Sequence, residues 1–489
     1  MLAFCALAGA SSHPVLPNTP AGRVFREWLV AFNTQDPAQL REFYKIHNPA
    51  HLDWAGTDAR LAHTTGGFDL RRIVKSSPTN LTVLLQARNS DDFVRSILYV
   101  GTVAPYKIAG FLLMQTPRPA EFALPHLAQD QLVAQLQGLL KRETAGDRFA
   151  GAVLVAKNGK PIFEQAYGLA DRAHKIPNTL DTRFRIGSMN KMFTATAIMQ
   201  LVQAGKIALD KPFGTYLTDY PNKTVSSGVT IRQLLTHTGG TGDIFTPEYF
   251  KNRLNVRTLH DYVNLFGKRP LRFKPGSKWE YSNYGFILLG LVVEKTSGES
   301  YYDYVRRHVY VPAGMTQTGS EPQDANVPDR SIGYTMAPNG NWQPNTGTLP
   351  YRGTSAGGGY STVGDLLKFA SALESGKLLD AHYAQMMTTG KVAMGPGGMK
   401  YGFGFGDRVV NGTRCFGHNG GAPGMNGDLE ICPSSGYVIA VLSNLDPPAA
   451  DRISAFITNR LPMKPLPDDR EMRERLKLGD RAAPSRPTR

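Results

Sequence analysis

Ser188-Met-Asn-Lys191 is the single S-x-x-K in this chain. A hydroxyl is a poor nucleophile until a base takes its proton, and a lysine serves as that base once desolvation has lowered its own pKa. The residues that follow predict such desolvation. Positions 189–204 are apolar on nearly every side and stop at Gly205, the pattern of a buried helix with Ser188 at its N-terminus. Residues three apart share a helix face, so the Lys191 ammonium can stand beside the Ser188 hydroxyl. Unpaired N–H groups at the helix start favour negative charge on a nearby oxygen. An ordinary N-cap serine leaves the same signature.

Two further pieces carry polar groups between turn signals. In Tyr281-Ser-Asn283, the first and third residues point into one cavity if the backbone is extended, offering a phenol for proton transfer and an amide for a substrate carbonyl. Y-x-N recurs at Tyr220 and Tyr262, but only Tyr281 follows a Pro-Gly turn and precedes an apolar helix, so the other two read as structural. In His418-Asn-Gly420-Gly421, successive glycines let backbone N–H groups approach a bound carbonyl closely. His237-Thr-Gly239 has a similar form but follows a helical pattern at 231–235 and reads as a cap with a turn.

Taken in order, these three pieces resemble the serine β-lactamase and penicillin-binding-protein superfamily. Within it they look most like the class C-like branch, with family VIII-type esterases, D-aminopeptidases and D-Ala-D-Ala carboxypeptidases. Supporting strings run from about Gly151 to Asn444: Phe184-Arg-Ile-Gly-Ser-Met-Asn-Lys191, Thr230-Ile-Arg-Gln-Leu-Leu-Thr-His-Thr-Gly239, Pro312-Ala-Gly-Met-Thr316 and Gly357-Gly-Gly-Tyr-Ser-Thr-Val-Gly-Asp-Leu366. The resemblance implies an α+β fold, a five-stranded antiparallel sheet flanked by helices, with the active site between it and an all-helical region. It implies Ser188 as acylated nucleophile, Lys191 as its base, Tyr281 as proton relay to the leaving group and Asn283 as a contact for the acyl side. It also implies that His418 and Gly420 line the substrate site and that the N–H groups of Ser188 and Gly421 form the oxyanion hole. One departure matters. Where β-lactamases usually carry Lys-Thr-Gly, this chain has His418-Asn-Gly420, and a histidine is neutral much of the time near pH 7. A permanent cation facing a substrate carboxylate is therefore weakened, which favours an esterase or D-amino-acid peptidase over a strong β-lactamase. A penicillin-binding sensor without turnover is the rival reading, although such a protein is expected to have lost Lys191 or Tyr281.

Gly353-Thr-Ser355-Ala-Gly357 fits the nucleophile elbow of α/β-hydrolases, but a loop-like stretch precedes it where an apolar strand is required. The chain has no H-E-x-x-H, paired C-x-x-C, phosphate-binding loop or dinucleotide fingerprint, so no metal or other cofactor is expected. The expected partner is a small ester, a D-amino-acid peptide or a β-lactam. Specificity should lie in loops 241–272 and 326–354, where the sequence carries no readable signal.

The elements that must position these groups occupy only part of 489 residues. Hydrophobic residues make up 41% and charged residues 19%, which excludes a disordered chain. A net charge of +15 is scattered rather than striped, which argues against nucleic acid. No run is long and apolar enough to span a membrane. Residues 1–12 read as a secretory signal without its basic start, predicting export to the bacterial periplasm or cell envelope; a buried strand is the alternative. Residues 20–116 read as a small α+β accessory domain, with helix patterns broken at Asn33-Thr-Gln-Asp-Pro37 and strand patterns at 81–87, 94–100 and 108–115. Its Trp28-Leu-Val-Ala-Phe-Asn-Thr-Gln-Asp36 stretch resembles the first helices of the NTF2-like cone fold. Proline-rich 117–127 is the expected linker, 128–462 the hydrolase domain, and 463–489 a polar tail. Within the hydrolase domain a helix at 129–141 leads to a hairpin turning on Asn158-Gly159. Cys415 and Cys432 flank a Pro423-Gly424 turn; they either face each other across two antiparallel strands or remain separate buried thiols.

Overall fold

A computed structural model of the chain describes residues 14–337, 340–395, 398–410 and 412–461. The expected signal segment and polar tail lie outside these residues. The chain divides into two compact units, Met1–Pro125 and His126–Arg489.

The first unit has helices α1 (Pro20–Asn33), α2 (Pro37–His47) and α3 (Trp54–Thr65), then a sheet of β1 (Phe68–Ser76), β2 (Asn80–Ala87), β3 (Phe93–Val100) and β4 (Ile108–Thr116). The strands follow chain order, each antiparallel to the next. Thr19 and Asp36 cap α1 and α2, each ahead of a proline that starts its helix with a preset φ. The sequence gives no clean signal for β1, because register shifts after Leu70 and Ile73 break the two-residue alternation. Trp28 Nε1 and the Tyr44 hydroxyl both donate to Asp58 Oδ2, at 2.8 and 2.6 Å, and so tie α1 and α2 to α3 inside the core. Burial raises the Asp58 carboxyl above the usual range.

The second unit opens with α4 (Gln129–Ala145) and the hairpin β5 (Gly151–Lys157) and β6 (Lys160–Tyr167). Asn158 and Gly159 both have positive φ, 49° and 73°, as a two-residue primed turn requires. Among the described residues the sheet has eight antiparallel strands, ordered Val392–Ala393, Lys400–Tyr401, Gly406–Val410, Thr413–Ala422, Met425–Cys432, Tyr437–Ser443, β5, β6. This exceeds the five strands the resemblance implies, in part because two-residue strands extend one edge. Met425–Cys432, Tyr437–Ser443 and most of β5 are buried along their length, since helices cover both faces. One face packs with α4 and the helix Ala449–Thr458, the other with α5 (Asn190–Gln203) and the helix Val363–Glu374. Cys415 and Cys432, one step beyond the Phe416–Ile431 pair on adjacent strands, form a disulfide.

Candidate active site

Ser188 lies where the strand Phe184–Gly187 meets α5. The turn passes through Gly187 at φ 51°, and a Cβ there would come 2.9 Å from the Gly421 nitrogen, so both backbone conformation and space demand glycine. Ser188 is not the N-cap: the helix starts one residue later, with Met189 in that position. From Phe184 to Met199, Ser188 is the one residue that is not buried. The hydroxyl is therefore reachable from a surround that is otherwise packed.

Lys191 has no exposed surface. Its Nζ lies 3.2 Å from Ser188 Oγ, 2.7 Å from Asn283 Oδ1 and 2.5 Å from the Ala356 carbonyl oxygen. Desolvation brings its pKa down to about 7, against the opposing pull of the Asp243 charge. As an ammonium it donates one N–H to each neighbour. As a neutral amine it keeps two N–H bonds for Asn283 Oδ1 and the Ala356 carbonyl, both pure acceptors. The lone pair is then left for the one neighbour with a proton to give, Ser188.

Asn283 is the first residue of the helix Asn283–Ser297, capped by Ser282, whose φ of −138° and ψ of 112° are extended. This places Tyr281 and Asn283 on the same side, as their spacing predicted. Both ends of the Asn283 amide have protein partners. Nδ2 donates to Asp243 at 3.0 and 3.3 Å, which leaves Oδ1 for Lys191. The residue expected to contact the acyl group thus also holds the base.

The Tyr281 ring lies 4.7 Å from Lys191 Nζ. Desolvation raises the pKa of its hydroxyl above the ordinary phenol value, with the neighbouring Ser188 opposing and the Asp243 charge adding to the rise, so it remains a protonated phenol. His237, expected to be a cap, does follow the helix Ile231–Leu235 and adopts φ 58°. It also holds both sides of Tyr281: its carbonyl accepts from Glu280 N–H at 3.0 Å, its Nδ1 accepts from Ser282 N–H at 3.1 Å, and its ring lies 4.2 Å from the phenol. Burial and the nearby Lys191 hold His237 well below the usual histidine pKa, hence neutral.

A Cβ at Gly420 would meet the Ile186 carbonyl oxygen at 1.9 Å and the Ser188 nitrogen at 3.1 Å. Only glycine lets the strand Thr413–Ala422 run this close, and the result sets the backbone of Gly420-Gly421 beside Ser188 N–H. His418 is nearby but turned inward. Nδ1 donates to the Asn419 carbonyl and Nε2 accepts from the Tyr401 hydroxyl at 2.9 Å, a tautomer assigned from these partners. Burial and the Lys191 charge bring its pKa down to about 3, so the imidazole carries no charge at neutral pH.

All seven expected site residues therefore lie in one region. Asp243, Tyr401 and the Ala356 carbonyl belong there too and left no signal, because each acts through a neighbour distant in sequence. Ser355 of the competing motif is fully buried, and a Cβ on Gly290 would come 2.4 Å from its Oγ. That segment holds Lys191 through the next carbonyl instead. Tyr220 and Tyr262 are buried core residues. Among the described residues no group of His, Cys, Asp and Glu side chains could hold a metal ion.

Comparison with known proteins places this geometry. The Beta-lactamase family model matches residues 130–461. Esterase EstB of Burkholderia gladioli is 28% identical over 324 residues, covering 57% of this chain and 80% of that protein. The crystal structure of a penicillin-binding protein from Bacillus halodurans matches with TM-score 0.59 and 34% identity, over 67% of this chain and 98% of that one. A D-stereospecific amidohydrolase from Streptomyces sp. matches with TM-score 0.58 and 28% identity, again over 67% and 98%. With well over half its length matched, the chain belongs to the beta-lactamase family and is a serine hydrolase of the serine β-lactamase and penicillin-binding-protein superfamily.

Proposed function

We propose that this hydrolase cleaves a small ester or amide, of the esterase or D-amino-acid peptidase type, through an acyl-enzyme on Ser188. The observation that carries the reading is the buried Lys191 amine, whose three neighbours are two pure acceptors and the Ser188 hydroxyl. The neutral amine takes the Ser188 proton as Oγ bonds to the substrate carbonyl carbon. The electron pair displaced onto the carbonyl oxygen rests on the N–H groups of Ser188 and Gly421. As the tetrahedral species collapses, the bond to the leaving group breaks and Tyr281 passes that group a proton, regaining one from the Lys191 ammonium. Water then attacks the acyl-enzyme with the same groups running in reverse, which restores the Ser188 hydroxyl.

The neutral, inward-turned His418 supports substrates without a carboxylate beside the scissile bond over β-lactams. The EstB and amidohydrolase likenesses support the same substrate classes. The Cys415–Cys432 disulfide supports an exported location.

The test is covalent labelling of the whole protein with a fluorophosphonate, followed by location of the adduct. The reading expects the adduct on Ser188 and none in Ser188→Ala; an adduct elsewhere, or equal labelling of the variant, rejects it. Side-by-side assays with p-nitrophenyl esters, D-Ala peptides and nitrocefin then fix the substrate class. A stable penicillin adduct without turnover of any of them would favour the sensor reading.

A further inference from the structure

We infer that Asn426 is a positioning residue for the oxyanion hole: it pins the Gly420 carbonyl and thereby aims the Gly421 N–H at the reacting centre. The inference rests on the acyl-enzyme reading above. Asn426 stands directly across from Gly421 on the neighbouring strand and is 1% exposed. Its Nδ2 donates to the Gly420 carbonyl at 2.9 Å and to Asp451 Oδ2 at 3.0 Å. Its Oδ1 accepts from Ala450 N–H at 2.6 Å and Asp451 N–H at 3.1 Å. An amide has two N–H donors and two acceptor positions, so each has a partner here.

The direction of the amide follows from the helix it meets. Ala449–Thr458 begins behind Pro448, an N-cap residue whose side chain makes no capping bond. The first N–H groups of a helix need an acceptor, and Asn426 Oδ1 provides it from another strand. Once Oδ1 is committed to the helix, Nδ2 must face the other way, onto the Gly420 carbonyl and the Asp451 carboxylate. Asp451 is itself held by a 3.2 Å bond from Asn419 Nδ2.

The link to catalysis is the planarity of the peptide group. The Gly420 C=O and the Gly421 N–H belong to one rigid plane and point in opposite directions, so fixing one fixes the other. Two glycines in succession give that plane more rotational freedom than any other pair would. Were it to turn over, an acceptor would replace a donor in the hole.

The sharpest variant is Asn426→Ala, which removes the donor to Gly420 at every pH. Asn426→Asp keeps an acceptor for the Ala450 and Asp451 N–H groups and loses the donor only where it ionises, at the alkaline end, because burial beside Asp451 raises a carboxyl here. Asp451→Asn weakens only the support. Each full-length variant is assayed with an aryl ester and with the matching thionoester, whose sulfur gains little from N–H donors. Loss of one well-aimed oxyanion donor costs about 10²–10³-fold in kcat, and a misaimed one should cost about 10–100-fold. We expect that fall in kcat for the ester in Asn426→Ala, and in Asn426→Asp at the alkaline end, with KM within about threefold and a much smaller fall for the thionoester. Asp451→Asn should show the same pattern at reduced size. It also removes a charge from a cluster in which Asp428 and Asp451 are both raised by burial, so it is the variant best placed to stay folded. Equal slowing of ester and thionoester, or no slowing of either, would overturn the inference and leave the acyl-enzyme reading intact. Failure of the wild-type protein to label at Ser188 would overturn the reading itself.

Discussion

Each unit of this chain buries an ionisable group among hydrogen-bonding partners, yet only one of the two arrangements leaves chemistry over. In the first unit Asp58 receives the Trp28 N–H and the Tyr44 hydroxyl on a single oxygen. Both donors belong to large side chains fixed in the core, and the Tyr44 phenol is itself pushed up by burial, so no proton is near transfer. In the second unit Lys191 has two neighbours that only accept and one that can also give, and that third neighbour is the one of the three that is not buried. Burial shifts both groups toward their neutral forms. What separates a brace from a base is whether the neutral form has a lone pair with a proton donor in front of it.

The contrast can be broken by substitution, and the largest effect is expected at the nucleophile. Ser188→Ala should abolish turnover, a loss of about 10⁶-fold by analogy with other serine hydrolases, read as the rate of p-nitrophenyl ester hydrolysis. Lys191→Met should follow with about 10²–10⁴-fold, the usual worth of a positioned general base. The same variant should unfold at a higher temperature, because it removes a burial penalty. The sign follows from linkage: the folded pKa of Lys191, about 7, lies below its unfolded value, so the folded state holds fewer protons between the two. The penalty is full below pH 7 and relieved as pH rises toward about 10.4, so the gain from Lys191→Met should shrink over that window. A variant that is inactive and also less stable at pH 7 would break the contrast.

Asp58→Ala should do the opposite. Two buried donors lose their acceptor, at a cost of about 1–3 kcal/mol each, which urea unfolding followed through tryptophan fluorescence would detect. The midpoint of the pH–rate profile should not move; a shift would mean that the brace takes part in the chemistry. The smallest effect is expected at His418. With its pKa at about 3, it should add no inflection near pH 6.5 to the kcat/KM profile. His418→Gln should change the rate on a neutral ester by less than about tenfold, because no charge is lost.

These comparisons also mark where the sequence was informative. Ser188 and Lys191 could be found because one helix turn joins them, and Tyr281 and Asn283 because two residues of extended chain do. The helix patterns of α1 and α2 were readable because their apolar residues keep a helical rhythm, and α5 because its apolar run continues on nearly every side until Gly205. Asp243, Tyr401, the Ala356 carbonyl and the His237 contacts on Tyr281 depend on long-range packing, which spacing does not encode. β1 was hidden for a local reason, since two register shifts spoil its alternation. The Asp58 brace was equally hidden, because a lone aspartate in a helix gives no sign of whether it faces solvent or two indole and phenol donors.

The central claim is that Lys191 is a base of near-neutral pKa facing Ser188, and the pH dependence of kcat/KM for a neutral p-nitrophenyl ester tests it most directly. The proton acceptor is the unprotonated amine, so the rate should climb through a single ascending limb with its midpoint near 7 and then level off. A limb that rises only toward pH 10, where an ordinary lysine titrates, or a profile flat from pH 5 to 9, would contradict the account.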